Sequence, residues 1–221
     1  MSAAERPLAP GQIAPALVLP AVNHEGSVSL SQFRGQRPVM IGFFRGLHCP
    51  FCRRQIAQLS AAQPALLEHG VEILAVVNTP LERARLFFRH RPMAITLLSD
   101  PDCASHHAFG VPKIGFLEAG NPGPPHWPSR ATLEQFAAAR INPTGELEAA
   151  AQPMEANALL NAQDGFALSE ADQKIFDAHG TQLAGQFLVD RDGVVRWSWV
   201  EAPYSPDELC RFPSLNDMLA A

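Results

Sequence analysis

At 221 residues, with 47% apolar residues and a formal net charge of −5, the chain has nonpolar material for a full core and no excess of positive charge. No run of Lys or Arg suggests nucleic acid or an anionic membrane surface as a main partner, and no apolar run reaches the roughly 18 residues that span a bilayer. Residues 1–11 hold no apolar stretch of signal-peptide length. The expected compartment is therefore the cytoplasm, where four cysteines read as chemistry and not as a disulfide scaffold.

After a Pro-containing arm, residues 18–20 and 27–30 read as short extended pieces around the turn-like Asn23, His24, Glu25 and Gly26, together a small hairpin. Residues 38–44 are a continuous apolar run too short for a helix, which predicts a buried central strand ending at Arg45 and Gly46. A helix should begin around Cys49 with Pro50 in its first turn, where a missing N–H costs nothing, and run toward Leu67 with a kink at Pro64. Gly70 closes that helix, and residues 71–77 read as a second buried strand, so the order predicts a parallel crossover. Asn78, Thr79 and Pro80 read as the cap and first-turn proline of a helix over 81–89, with a third strand at 95–98.

Near the other end, residues 187–190 and 194–199 flank Arg191, Asp192 and Gly193, a strong hairpin signal because Asp-Gly supplies left-handed turn geometry. Trp197 and Trp199 share a face of that second strand. A final helix should follow Ser205 and Pro206 and would contain Cys210. Between the halves, residues 115–128 are rich in Gly and Pro, and helix-like stretches stand at 132–139, 146–162 and 169–178. The expected organisation is one α/β domain over residues 1–221, carrying a helical insertion over 112–182 before the C-terminal hairpin.

The chemistry rests on residues 43–55, where two thiols, Cys49 and Cys52, stand where a buried strand feeds a helix. First-turn N–H groups and the positive helix end favour a thiolate, which can lower a cysteine from about 8.5 to roughly 3.5–7.5. Arg45, Arg53 and Arg54 could add positive field, and a guanidinium could hold peroxide oxygens. His48 is either an exposed neighbour or a group that tunes Cys49. Cys49, near the N-cap, should be the more exposed thiol, and Cys52 the one with more amide donors; both stay candidate nucleophiles. A zinc site would need more ligands than one CxxC with His48, His106 and His107 offers, so no metal and no cofactor are expected. Cys103, beside Asp100 and Asp102, has surroundings that disfavour a thiolate.

The CxxC after Phe43 and Phe44, the downstream stretch 187–195, Gly11 to Pro15, residues 28–35, residues 98–101 and Phe109, Gly110 and Val111 together resemble the alkyl hydroperoxide reductase and thiol-specific antioxidant family, in its peroxiredoxin-like branch. The resemblance covers roughly residues 10–110 and 183–200. It implies a thioredoxin-like fold, a central mixed sheet flanked by helices, and an antioxidant peroxidase with Cys52 as the peroxidatic cysteine. Two motif positions depart from the family: Arg45 stands where its proline would be and Cys49 where its threonine would be. Residues 183–186 lack the arginine often found before the following strand, and Gly185 and Gln186 lack the cis-proline of thioredoxins. Substrates implied are a hydroperoxide or a disulfide, with an external thioredoxin-, glutaredoxin- or glutathione-type thiol as reductant. Disulfide exchange on proteins and non-catalytic redox sensing are the alternatives. The insertion could cover the site or mediate a homodimer.

Overall fold

The computed structural model describes residues 6–120, 130–180 and 182–220. Its centre is a five-stranded mixed sheet. The middle strand, β3 (Val39–Phe44), is buried at every residue, as its unbroken apolar run requires of a strand covered on both faces. It pairs in parallel with β4 (Glu72–Val77), which pairs in parallel with β5 (Thr96–Ser99). On its other side it pairs antiparallel with β8 (Gly185–Val189), itself antiparallel to β9 (Val195–Val200). Gly193 turns the β8–β9 hairpin at φ +82°, the conformation expected of its Asp-Gly pair. The early hairpin also forms, from β1 (Val18–Pro20) and β2 (Ser27–Ser29).

Helix α1 (Pro50–Glu68) joins β3 to β4 and buries Phe51, Ile56, Leu59 and Leu66. It continues through Pro64 as one helix, and Gly70 follows it at φ +74°. Phe43, Phe109 and Phe187 meet inside with ring centroids 4.8 to 5.8 Å apart, locking β3, β8 and the chain after α3 (Ala104–Ala108) into one core. Helix α2 (Leu81–Phe88) starts at the expected residue and ends one short of Arg89. Pro80 is the N-cap residue, and no side chain caps it. Asn78 and Thr79 are used elsewhere: Thr79 Oγ1 accepts from the Leu47 N–H at 3.1 Å, and Asn78 Nδ2 donates to Cys103 Sγ at 3.4 Å.

Within residues 112–182, β6 (Gly115–Leu117) pairs in parallel with β7 (Arg130–Thr132), and three helices follow: α4 (Leu133–Ala138), α5 (Pro153–Gln163) and α6 (Glu170–His179). The Gly- and Pro-rich stretch continues past residue 120 outside the described residues. Two helix expectations hold, and their Thr132 and Ser169 caps explain why: each accepts from the backbone three residues on, with a reciprocal side-chain bond. The expected helix over 146–162 is shorter. Residues 146–152 are not helical because Ile141 and Ala151 form an antiparallel bridge and the Asn142 side chain ties both backbone groups of Leu147. The C-terminal expectation also changes. Pro206–Glu208 is a single 3-10 turn, Cys210 sits outside any helix at φ +61°, and α7 (Leu215–Leu219) starts only after Pro213. Among the described residues no helix is long and apolar enough to cross a membrane.

Candidate active site

The CxxC stands where strand hands over to helix. Phe44 ends β3, residues 45–48 fold inward, and Cys49 is the N-cap of α1 with extended backbone (φ −91°, ψ 103°). Its Sγ accepts the Cys52 N–H at 3.1 Å, so the sulfur takes the role a Ser or Thr oxygen usually plays at an N-cap. Cys49 and Cys52 are each only 1% exposed, whereas the sequence suggests that Cys49 is the more exposed of the two. The loop before it explains the difference. Besides the Thr79 bond, the Leu47 carbonyl accepts from Arg53, and the His48 carbonyl accepts from Asn161 Nδ2 at 3.0 Å. Gly46 has no room for a side chain, since a Cβ there would lie 2.8 Å from Asn78 Oδ1.

Of the three nearby arginines, Arg45 is the one turned inward. Its guanidinium donates to both carboxylate oxygens of Glu201 at 2.7 and 2.8 Å, to the Gln182 carbonyl at 2.9 Å and to Cys210 Sγ at 3.2 Å. Glu201 is fully buried and also accepts the N–H groups of Ala184 and Cys210. The fork-to-carboxylate pairing satisfies two buried charges together, which is the condition under which such a pair is tolerated.

Three sulfurs lie in the field of this guanidinium, with Cys210 in hydrogen-bond contact. Burial opposes a charge on Cys49, but hydrogen bonds from the Cys210 and Cys52 side chains and the field of Arg45 overcome it, and its thiol is held well below the usual range. Burial and the hydrogen bond toward Cys49 push the thiols of Cys52 and Cys210 well up. One thiolate with two thiol donors is therefore the favoured charge state, with the charge on Cys49.

His48 is buried at 3% exposure, not an exposed neighbour of the motif. Its ring stands edge-on to Phe176 at 5.3 Å, and neither ring nitrogen has a partner. Burial lowers its pKa to about 4, so the imidazole is neutral at pH 7. Arg53 and Arg54 turn away from the sulfurs. Arg53 donates to Asn161 and Asp164 and lies 4.2 Å over the Phe166 ring; Arg54 pairs with Asp164 and Glu146. They fasten α1 to the 142–166 region. Cys103 stands apart at the start of α3, where burial pushes its thiol up to about 11.

Sequence reasoning missed Glu201, Gln182 and the placement of Cys210. Glu201 left one signal: an acid directly after the apolar strand ending at Val200, a position that either turns to solvent or meets a buried cation. Beside the cluster lies a cavity of about 480 Å³, walled by Phe116, Phe136, Met154 and Phe176 and reaching Arg45, His48 and Cys210. Most of those walls come from the 112–182 segment.

The sheet order and a CxxC at the head of the helix after the central strand define a thioredoxin-fold protein of peroxiredoxin-like type. Residues 10–198 match the AhpC/TSA family, and the chain belongs to that family. It is 34% identical over 105 residues to peroxiredoxin Bcp of Escherichia coli K12, and equally to a putative peroxiredoxin bcp of Haemophilus influenzae. Each match takes in 48% of this chain and 66% of the relative, so the chain spans just under two thirds of the curated relatives' length. Among solved structures, the reduced 2-Cys peroxiredoxin of Plasmodium vivax superposes with a TM-score of 0.57 at 19% identity, covering 96% of this chain and 79% of its own. Peroxidoxin BcpB of Mycobacterium tuberculosis gives 0.52 at 16% identity, covering 90% and 88%. At these identities the two structures bear on the fold.

Proposed function

We propose that this protein is a peroxiredoxin-like thiol peroxidase that reduces hydroperoxides through Cys49 and Cys52. The observation that carries the reading is the buried CxxC at the head of α1, where Cys49 Sγ accepts the Cys52 N–H and the field of Arg45 lowers the Cys49 thiol. The family resemblance gives attack to Cys52, while the charge distribution favours Cys49, and the proposal takes Cys49. Its thiolate attacks the outer oxygen of a hydroperoxide, the O–O bond breaks, and the leaving alkoxide takes a proton to depart as an alcohol. The sulfenic acid left on Cys49 then condenses with the Cys52 thiol, forming a disulfide and releasing water. An external thioredoxin-, glutaredoxin- or glutathione-type thiol restores the pair. The reading includes a cytoplasmic setting, one domain over residues 1–221, and an insertion over 112–182 that walls the cavity beside the thiols.

The test is stopped-flow hydroperoxide consumption by the pre-reduced protein and its Cys49→Ser and Cys52→Ser variants, with sulfenic acid trapped and located by peptide mass spectrometry. Expected is loss of the fast reaction in Cys49→Ser and a trapped sulfenic acid on Cys49 in Cys52→Ser. The opposite pattern would give the attack to Cys52. Rates no better than free cysteine in all three proteins would end the peroxidase reading. Disulfide exchange is the second reading, favoured by one feature: the first thiol of the CxxC is the acidic one and the second is not.

A further inference from the structure

Cys49 and Cys52 are each 1% exposed, and neither borders the 480 Å³ cavity. Of the four cysteines, all among the described residues, Cys210 is the one that lines the cavity. Its placement is specific. The backbone is in the left-handed region at φ +61°, which a residue with a side chain adopts only where the surroundings hold it. The hold is visible: its N–H donates to the buried carboxylate of Glu201, its Sγ accepts from Arg45 at 3.2 Å, and it stands close enough to Cys49 for the two thiols to shift each other's acidity. Cys210 thus has one side on the reacting sulfur and the other on the cavity.

We infer that Cys210 is a third redox thiol, which exchanges into the Cys49–Cys52 disulfide and brings the oxidised state to the cavity as a Cys49–Cys210 disulfide. In the exchange the Cys210 sulfur, giving up its proton, attacks Cys49 Sγ; the Cys49–Cys52 bond breaks, and Cys52 leaves as a thiolate that takes up that proton. No electrons are gained or lost. An external thiol entering the cavity then attacks Cys210 Sγ and expels Cys49 as its thiolate, and a second thiol equivalent resolves the mixed disulfide on Cys210. Cys49, the stabilised thiolate of the cluster, is the better leaving group for that step. The inference rests on the proposed peroxidase cycle for the origin of the disulfide, but the exchange itself needs only an oxidised pair.

The experiment treats the reduced wild-type protein with one equivalent of cumene hydroperoxide and, in parallel, with one equivalent of diamide, which makes disulfides without peroxide chemistry. Samples are quenched with N-ethylmaleimide over time and their disulfides mapped by non-reducing peptide mass spectrometry. Expected in both arms is a Cys49–Cys210 linkage growing behind Cys49–Cys52. In Cys52→Ser without a sulfenic acid trap, the Cys49 sulfenic acid should close on Cys210 with loss of water, and added trap should capture it before that closure. Cys210→Ser should lower steady-state turnover with dithiothreitol about tenfold or more, since the exit step is lost. A Cys49–Cys210 linkage with diamide alone would uphold the exchange while removing the peroxidase reading. Cys49–Cys52 as the sole linkage in both arms, or unchanged turnover in a folded Cys210→Ser, would overturn the inference.

Discussion

The two sides of the Cys49 sulfur are built differently. One side is contiguous chain: β3, the loop at 45–48 and the first turn of α1, which supply Arg45, the N-cap geometry and the Cys52 N–H. The other side comes from residues 137 to 165 positions beyond Arg45: the Gln182 carbonyl, the Glu201 carboxylate and the Cys210 thiol. The near side places a nucleophile, and the far side sets its charge. Helix-end donors alone suit many cysteines, whereas a buried arginine at full charge beside the sulfur requires a buried carboxylate to hold it there.

The sharpest way to break this division is to remove the far side's charge. Glu201→Gln leaves the Arg45 guanidinium buried without its counter-ion and should cost about 3–5 kcal/mol, read as a lowered urea midpoint. Arg45→Met combined with Glu201→Gln should recover part of that loss; a double variant no better than the single one would show that the pair is not coupled.

Next in size is the response to acid. His48 and His106 are buried and their pKa values lowered from about 6.5 to about 4, chiefly by burial, so the folded state favours their neutral forms. That contribution is complete above the unfolded pKa of 6.5 and is lost as pH falls toward 4, at roughly 3 kcal/mol for each histidine. Denaturation at pH 7.5, 5.5 and 4 checks the slope; a stability flat across that range would contradict the buried neutral state.

Smaller is the effect on thiol acidity. Arg45→Met should raise the pH of half-maximal Cys49 alkylation by iodoacetamide by about one unit, a tenfold slower reaction below that midpoint. An unchanged profile would leave the hydrogen bonds as sufficient cause. The smallest expected effect belongs to the fastening of α1: Asp164→Asn removes a partly exposed partner of Arg53 and Arg54 and should cost about 1 kcal/mol, with the Cys49 alkylation profile unmoved.

The near side was legible in the sequence because each of its features is local. The apolar run of β3, Pro50 in the first turn, the CxxC spacing and Gly70 act within a turn or two of where they stand; the AhpC/TSA resemblance draws on the CxxC together with stretches spread over residues 11–111 and 187–195. Arg45 could be named but not aimed, since three arginines flank the motif and only the partners across the sheet separate them. Glu201 and Cys210 depend on β8 docking beside β3 and on a left-handed residue after a 3-10 turn, neither of which a local pattern encodes. The choice between the two readings of His48 is closed to the sequence for a related reason: nothing adjacent says that Phe176 covers it. The helix expected over 146–162 followed propensity, and the Asn142 side chain with the Ile141–Ala151 bridge outweighed it.

The Glu201 clamp also bears on the order of events during synthesis. A chain that has emerged only as far as α1 and β4 already holds Cys49 and Cys52, but its arginine has no carboxylate to draw it inward. Only when β9 docks and residue 201 arrives is that arginine paired, so the surroundings of Cys49 are completed by the last part of the chain to emerge.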